Sequence, residues 1–275
     1  MIQTKTLLTS LILAVLALLA GCSYLDVGSL LKAPPAPPPV EQPKLQILSV
    51  KSHDTTAYTE GLVWYNGALH ESAGLYGQSS LRQVDPQTGQ VVRRIDLPAQ
   101  YFGEGLALAG SRLIQLTWHE QVAFIYDVQT FANLGTLPYT GEGWGLCFDG
   151  QQFYQTDGSS SIIVRSTGTF QDVQHIPVTL DGHPVLNLNE LECVDSALYA
   201  NVWHTDNILR IEKQSGRVTA VIDASGLLAP QEIATAGPEG VLNGIAYDPQ
   251  QQVFWITGKW WPWMFEVRFV SLGSR

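Results

Sequence analysis

The chain has 275 residues and a net charge of −10, and only 15% of its residues are charged. This shortage of Lys and Arg argues against nucleic-acid partners, while 45% apolar residues and 25 Gly exclude a disordered chain or a coiled coil. Three cysteines, none in C-x-x-C spacing, argue against both a disulfide-rich scaffold and a structural zinc site.

The first residues have the pattern of a secretory signal, with a basic residue before an apolar run from Leu11 to Ala20. The following Leu19-Ala20-Gly21-Cys22 resembles the signal of bacterial lipoproteins, in which the cysteine becomes the acylated first residue. We therefore predict a lipoprotein signal peptide over 1–21 and a lipid anchor at Cys22. The expected location is the periplasmic side of the bacterial cell envelope, and Ser23 favours the outer membrane.

A proline-rich segment follows the predicted anchor. Six prolines occur in the eleven residues from Ala33 to Pro43, which favours an extended polyproline spacer. We assign 22–43 to the lipidated cysteine and linker, and 44–275 to one folded domain.

Five repeats occupy the rest of the chain, and each begins with a short apolar run that meets a turn signal. Their first residues lie 44, 40, 45 and 54 positions apart and are Glu60, Glu104, Trp144, Asn189 and Asn243. A second hairpin follows in the repeats, as in Asp85-Pro-Gln-Thr-Gly89. Four strands in about 45 residues are typical of a propeller blade. The sequence therefore predicts an all-β fold, a five-bladed β-propeller with four antiparallel strands per blade.

The fifth repeat ends one strand short, while the run Leu45 to Lys51 has no partner. We expect this N-terminal strand to close the last blade, which leaves no long free edge.

Hairpin register places the polar groups. Counting from the turns pairs Glu104 with about Thr117 and Asn189 with about Val202, and brings Lys259 close to Asn243. The first residue of every innermost strand should face the central channel, so the five repeat starts should surround one opening.

Long motifs, in order, cover nearly all of the chain past residue 50. They are Tyr58-Thr-Glu60-Gly-Leu, Glu71-Ser-Ala-Gly-Leu-Tyr-Gly, Phe102-Gly-Glu104-Gly-Leu, Gln115-Leu-Thr-Trp118, Gly141-Glu-Gly-Trp144-Gly-Leu, Asn187-Leu-Asn189-Glu-Leu-Glu, Ala200-Asn-Val-Trp203-His-Thr-Asp, Val241-Leu-Asn-Gly-Ile-Ala-Tyr-Asp and Thr257-Gly-Lys259. In these motifs the chain resembles the glutaminyl-peptide cyclotransferases of the plant and bacterial type. The resemblance implies a five-bladed propeller that converts N-terminal glutamine to pyroglutamate and releases ammonia. It places the site at Tyr58, Glu60, Glu104, Trp118, Trp144, Asn189, Trp203 and Lys259.

These residue types suit the chemistry. We expect Glu104 to carry the proton from the substrate amine to the departing ammonia, with its pKa raised by Trp118 and Trp144. Lys259 and Asn189 are expected to stabilise negative charge on the carboxamide oxygen. No cofactor or catalytic metal is expected, although a structural calcium is left open.

The remaining site residues are expected to bind the substrate. Trp203 and Tyr58 are expected to form the apolar wall around the glutamine side chain. The family pattern has Phe and Gln where this chain has Tyr58 and Glu60. The role of Glu60, either gripping a substrate ammonium or shifting Glu104, therefore stays open.

Two other functions remain open at the level of the sequence. A calcium-dependent propeller lactonase or hydrolase would use Glu60, Glu104, Asn189 and Asn243 as oxygen ligands, although such proteins resemble six-bladed rings. A non-enzymatic periplasmic scaffold would need no ordered rim. The predicted partners are peptides with N-terminal glutamine and the lipid bilayer, and the predicted state is a monomer.

Cys147 and Cys193 lie at offsets 3 and 4 from their repeat starts, and hence on opposite sheet faces. A disulfide between adjacent blades is geometrically allowed only near the axis, where the sheets converge. The sequence leaves this pairing open.

Overall fold

The computed structural model describes residues 37–271, which form five four-stranded antiparallel sheets and one small hairpin. Each sheet is one blade. Blade one contains β2 (Thr59–Tyr65), β3 (Ala68–Ala73), β4 (Ser80–Val84) and β5 (Val91–Asp96). Blade two contains β6 (Gly103–Ala109), β7 (Arg112–Thr117), β8 (Val122–Asp127) and β9 (Asn133–Pro138). Blade three contains β10 (Leu146–Phe148), β11 (Gln152–Gln155), β12 (Ser161–Ser166) and β13 (Asp172–Pro177).

The remaining elements complete the ring. After the small hairpin, blade four contains β16 (Leu188–Val194), β17 (Ala197–Val202), β18 (Asn207–Glu212) and β19 (Val218–Asp223). Blade five contains β20 (Leu242–Asp248), β21 (Val253–Gly258), β22 (Trp263–Val270) and β1 (Lys44–Ser52). The hairpin consists of β14 (Thr179–Leu180) and β15 (His183–Pro184), and helix α1 (Pro230–Ala236) lies between the last two blades in sequence. These five blades confirm the predicted five-bladed propeller.

The N-terminal strand closes the fifth blade, as predicted. β1 pairs antiparallel with β22, from Lys44 opposite Val270 to Ser52 opposite Trp263. Closure by a distant strand ties the beginning of the propeller to its end, which removes the free edge of the last sheet.

The innermost strands of neighbouring blades approach one another closely around the axis. Three glycines of the repeats explain this contact, because a Cβ on Gly61, Gly105 or Gly145 would overlap the backbone of the next innermost strand. The Gly-Leu step of the repeats therefore allows close approach of the strands.

The predicted register at the start of the innermost strands was wrong by one residue. Gly103 lies opposite Thr117 and Leu106 opposite Gln115, so three steps on one strand match two on the other. The same shift follows the pairing of Leu188 with Val202. A β-bulge inserts this extra residue, and alternation of apolar residues does not reveal it.

Cys147 and Cys193 are bonded to each other, 46 residues apart. The disulfide joins β10 of blade three to β16 of blade four. It settles the pairing that the sequence left open.

No helix within residues 37–271 has the length and apolar character needed to cross a membrane. Cys22 and the signal segment 1–21 lie outside the described residues, so their assignment stays a prediction.

Candidate active site

A cavity of about 280 Å³ opens where the innermost strands begin. Its lining includes all eight residues that the sequence placed in the site. The residues that line it are Tyr58, Glu60, Leu75, Phe102, Glu104, Trp118, Trp144, Asn189, Trp203, Glu239 and Lys259. The fifth expected rim residue, Asn243, is fully buried behind this lining, so its predicted place at the opening was wrong.

The blades supply these side chains in a repeated way. Glu60, Glu104 and Asn189 lie within the bulged beginnings of their innermost strands. Trp118 and Lys259 directly follow the ends of the second strands, β7 and β21. The bulges thus place polar side chains from several blades in one cavity.

Glu60 and Lys259 form a buried ion pair, with Lys259 Nζ 2.7 Å from Glu60 Oε1. The ammonium also lies 4.3 Å from the centroid of the Tyr58 ring, a cation–π contact. Asn243 Nδ2 donates to Glu60 Oε2 at 3.1 Å and to the carbonyl of Thr59. Both oxygens of Glu60 are therefore held by donors.

Burial controls the protonation of this pair. Removal from water raises the pKa of Glu60 to about 7, although the Lys259 ammonium opposes the shift. Burial alone would lower the pKa of Lys259, but the Glu60 carboxylate outweighs it and the pKa of Lys259 rises. The ammonium is therefore charged throughout the neutral range.

Glu104 is only 5% exposed. Within residues 37–271 its carboxylate has no hydrogen bond, although its backbone carbonyl accepts one from Ser72 Oγ. Burial raises the pKa of Glu104 well above its ordinary value, and the nearby negative charge of Glu60 adds to the shift. An unpaired carboxyl with a raised pKa is suited to accept and release a proton near neutral pH.

Two indoles of the cavity are held by one carboxylate that the sequence analysis missed. Trp118 Nε1 and Trp144 Nε1 both donate to Glu142 Oε2, at 3.0 and 3.1 Å. Gln155 fixes the same loop by donating to the backbone carbonyl of Glu142, and Arg165 holds Gln155. Glu142 lies only two residues before Trp144. Its contact with Trp118 joins two neighbouring blades, and no pattern in the sequence indicates it.

Asn189 and Trp203 line the cavity, and each carries one unpaired polar atom. Asn189 Oδ1 and Trp203 Nε1 are buried and have no hydrogen-bond partner within the described residues. One atom accepts and the other donates, which are the two capacities that bind a primary carboxamide.

Three further lining residues were not predicted. Phe102 belongs to one of the motifs given above. Its ring occupies the space that a Cβ on Gly74 would need, so a glycine is required at position 74 when a phenylalanine occupies position 102. Leu75 follows that glycine. Glu239 lies beyond α1, outside any repeat, so no pattern identified it.

No group of three or more His, Cys, Asp or Glu side chains suited to a metal ion occurs in the part of the chain that the structure describes. That catalysis needs no metal stays a prediction, because it concerns the reaction.

Comparisons with known proteins identify the family of the chain. The model of the glutamine cyclotransferase family matches residues 18–269. A glutaminyl-peptide cyclotransferase of Arabidopsis thaliana is 36% identical over 236 residues, which cover 84% of this chain and 73% of the relative. The crystal structure of Myxococcus xanthus glutaminyl cyclase superposes with a TM-score of 0.79 at 38% identity, over 85% of this chain and 99% of that chain. The chain belongs to the glutamine cyclotransferase family.

Proposed function

We propose that this chain converts the N-terminal glutamine of peptides to pyroglutamate and releases ammonia. The observation that carries the proposal is the single cavity in which an unpaired buried carboxyl, an ammonium and three indoles converge. In the reaction the substrate's α-amine nitrogen attacks the side-chain carboxamide carbon. A ring N–C bond forms, the bond from that carbon to the amide nitrogen breaks, and ammonia leaves. No nucleophile from the protein is needed.

Glu104 is the group that moves the proton. An α-amine has an ordinary pKa of about 8, so it must lose a proton before it attacks. Because the pKa of Glu104 is raised, it lies closer to the pKa of the amine, and this favours proton transfer in both directions. Glu104 takes the proton from the attacking amine and gives it to the leaving nitrogen.

Asn189 and Trp203 orient the glutamine side chain. The carboxamide NH₂ donates to Asn189 Oδ1, and its oxygen accepts from Trp203 Nε1, which satisfies the two unpaired atoms. Holding the carboxamide in a folded conformer beside the amine removes much of the entropic barrier to ring closure.

Lys259 stabilises the charge that grows on the carboxamide oxygen. An ammonium has three N–H donors, and the contact with Glu60 Oε1 uses one of them.

The alternative functions are disfavoured. A calcium ion bound by Glu60, Glu104, Asn189 and Asn243 would share its site with the Lys259 ammonium, which repels it. An inert scaffold does not account for the convergence of a buried carboxyl, an ammonium and three indoles in one cavity.

The test is incubation with a peptide that begins with glutamine, with release of ammonia and the matching loss of mass as readouts. The same peptide with an N-terminal asparagine is the control, because its shorter side chain cannot form the five-membered ring. We expect turnover of the glutamine peptide that resists chelators. Turnover that chelators abolish and calcium restores would support the calcium-hydrolase alternative.

The lipid anchor at Cys22 is proposed from the sequence alone, together with a periplasmic location and a monomeric state. We expect Cys22→Ser to move the protein from the membrane fraction to the soluble periplasmic fraction of a bacterial host, because the acyl chains provide the attachment. Ser29→Ala in the same segment is the matched control. Equal membrane retention of Cys22→Ser would contradict the anchor.

A further inference from the structure

A second cavity, of about 600 Å³, lies beside the candidate active site. Helix α1, the segment before β2 and the turn between β21 and β22 form its walls. The residues that line this outer groove are Thr55, Gln231, Glu232, Thr235, Ala236, Trp260 and Pro262. Thr55, Gln231 and Thr235 are exposed, so the groove is accessible from solvent.

Trp260 separates the outer groove from the active-site cavity. Its ring centroid lies 4.7 Å from that of Tyr58, which lines the active site, and the two rings are tilted by 58°, so a pair of contacting aromatic rings lies between the two cavities. Trp260 has a φ of 59°, a rare conformation for a bulky residue, and its N–H donates to the carbonyl of Ala57 at 2.7 Å. The backbone therefore holds this ring at the boundary at an energetic cost.

The segment that contains helix α1 is held by two tryptophan side chains, one at the first turn of the helix and one beyond its end. Trp263 Nε1 donates to Glu232 Oε1 at 2.5 Å, and Trp261 Nε1 donates to the carbonyl of Gly240 at 2.8 Å. The chain between these contacts supplies Thr235 to the outer groove and Glu239 to the active site. One anchored segment thus forms part of both cavities.

We propose that the outer groove binds the residues of the substrate peptide that follow its N-terminal glutamine. The inference rests on the proposed cyclisation. When the N-terminal glutamine of a peptide occupies the cavity, the rest of the peptide, which begins at the glutamine carbonyl, must leave the cavity toward solvent. The groove adjoins the cavity, with only the contacting rings of Trp260 and Tyr58 between them, and its Thr55, Gln231 and Thr235 side chains offer hydrogen bonds to a peptide backbone.

The charge of the groove adds a preference among peptides. The hydrogen bond from Trp263 lowers the pKa of Glu232, so this carboxylate is ionised at neutral pH. Glu239 adds a second acidic side chain at the boundary. Peptides with an acidic residue soon after the glutamine are therefore poorer substrates than neutral or basic ones.

The experiment compares a long and a short substrate of the full-length chain. The long one is Gln-Ala-Ala-Ala-Ala, and the short one is glutamine α-amide, which ends before the groove. Thr235→Trp fills the groove, and Ile233→Trp is the matched control, since Ile233 is exposed on the same helix and lines neither cavity. We expect Thr235→Trp to lower kcat/KM for the pentapeptide by about tenfold, mainly through KM, and to change that for the amide less than twofold.

Each outcome is decisive. Equal effects on both substrates, or no effect of Thr235→Trp on the pentapeptide, would overturn the groove proposal while cyclisation itself stands. If the parent chain cyclises neither substrate, it is the proposed function that fails. A parent that prefers Gln-Glu-Ala-Ala-Ala over Gln-Lys-Ala-Ala-Ala would contradict the charge preference.

Discussion

Glu60 and Glu104 share the field of one ammonium, and this sharing governs the protonation of the site. Lys259 contacts Glu60 directly, whereas the carboxylate of Glu104 has no hydrogen bond among the described residues. The negative charge of Glu60 raises the pKa of Glu104, and Lys259 lowers it. Glu60 therefore tunes the proton carrier without having to touch the reacting atoms.

We predict that Glu60→Gln shifts the acidic limb of the kcat/KM profile to lower pH. The substitution removes the anion that raises the pKa of Glu104 and leaves the Lys259 ammonium to lower it, so Glu104 loses its proton at lower pH. Profiles are measured with one glutamine peptide, which keeps the titration of the substrate amine the same. Glu212→Gln, on the distant strand β18, should follow the parent. An unchanged limb, or a shift to higher pH, would contradict this tuning.

At the scale of strands, the repeats predicted the blades but not the details at their inner ends. Apolar runs and turn residues identify four strands per repeat, and the unpaired run before Tyr58 predicted the closing strand β1. The bulges that carry Glu104 and Asn189 cannot be predicted from that pattern, because they lie at the first residues of their strands, where too few residues precede them to show a shift in the alternation. The ion pair of Glu60 with Lys259 joins positions 199 apart, which no local signal connects.

The disulfide is expected to stabilise the junction of blades three and four. Cross-linking residues 46 apart restricts the unfolded chain and typically contributes about 2–4 kcal/mol to the free energy of unfolding. The double variant Cys147→Ala/Cys193→Ala should therefore unfold at lower urea concentration than the parent under oxidising conditions.

Reductant provides the control for this prediction. It should lower the unfolding midpoint of the parent and leave that of the double variant unchanged. A parent that is indifferent to reductant after unfolding and refolding would show that the bond contributes nothing to stability.

At the scale of the whole molecule, the propeller buries carboxyl groups along its axis as well as in the site. Glu190 accepts hydrogen bonds from the N–H groups of Leu62 and Ile245, and so links blade four to blades one and five. Burial raises the pKa of Glu190 well above its ordinary value and that of Glu192 to about 8. The repeat starts predicted the ring, but they did not predict acidic groups packed at its centre.

We predict that the fold is more stable near pH 5 than near pH 8. An acid whose pKa is higher in the folded chain binds more protons there, so its contribution falls as pH rises from its ordinary value to the raised one. Glu60, Glu104, Glu190 and Glu192 all act in this direction. Each of these groups lowers the free energy of unfolding by at most about 1.4 kcal/mol for each pH unit of increase.

Urea unfolding at several pH values checks this slope. Glu192→Gln should make it shallower, because the amide does not titrate, and Glu212→Gln should leave it as in the parent. Stability that rises steadily from pH 5 to pH 8 would contradict the prediction.

The most direct test of the central claim is the rate of ammonia release from a glutamine peptide by the parent and by Glu104→Gln. The amide keeps the shape of the side chain but does not carry the proton, so turnover should fall by about 10²-fold or more. The fold and the affinity for the peptide should be retained, and Glu212→Gln should match the parent. Cyclisation by Glu104→Gln at the parent rate would contradict the assignment of Glu104 as the proton carrier.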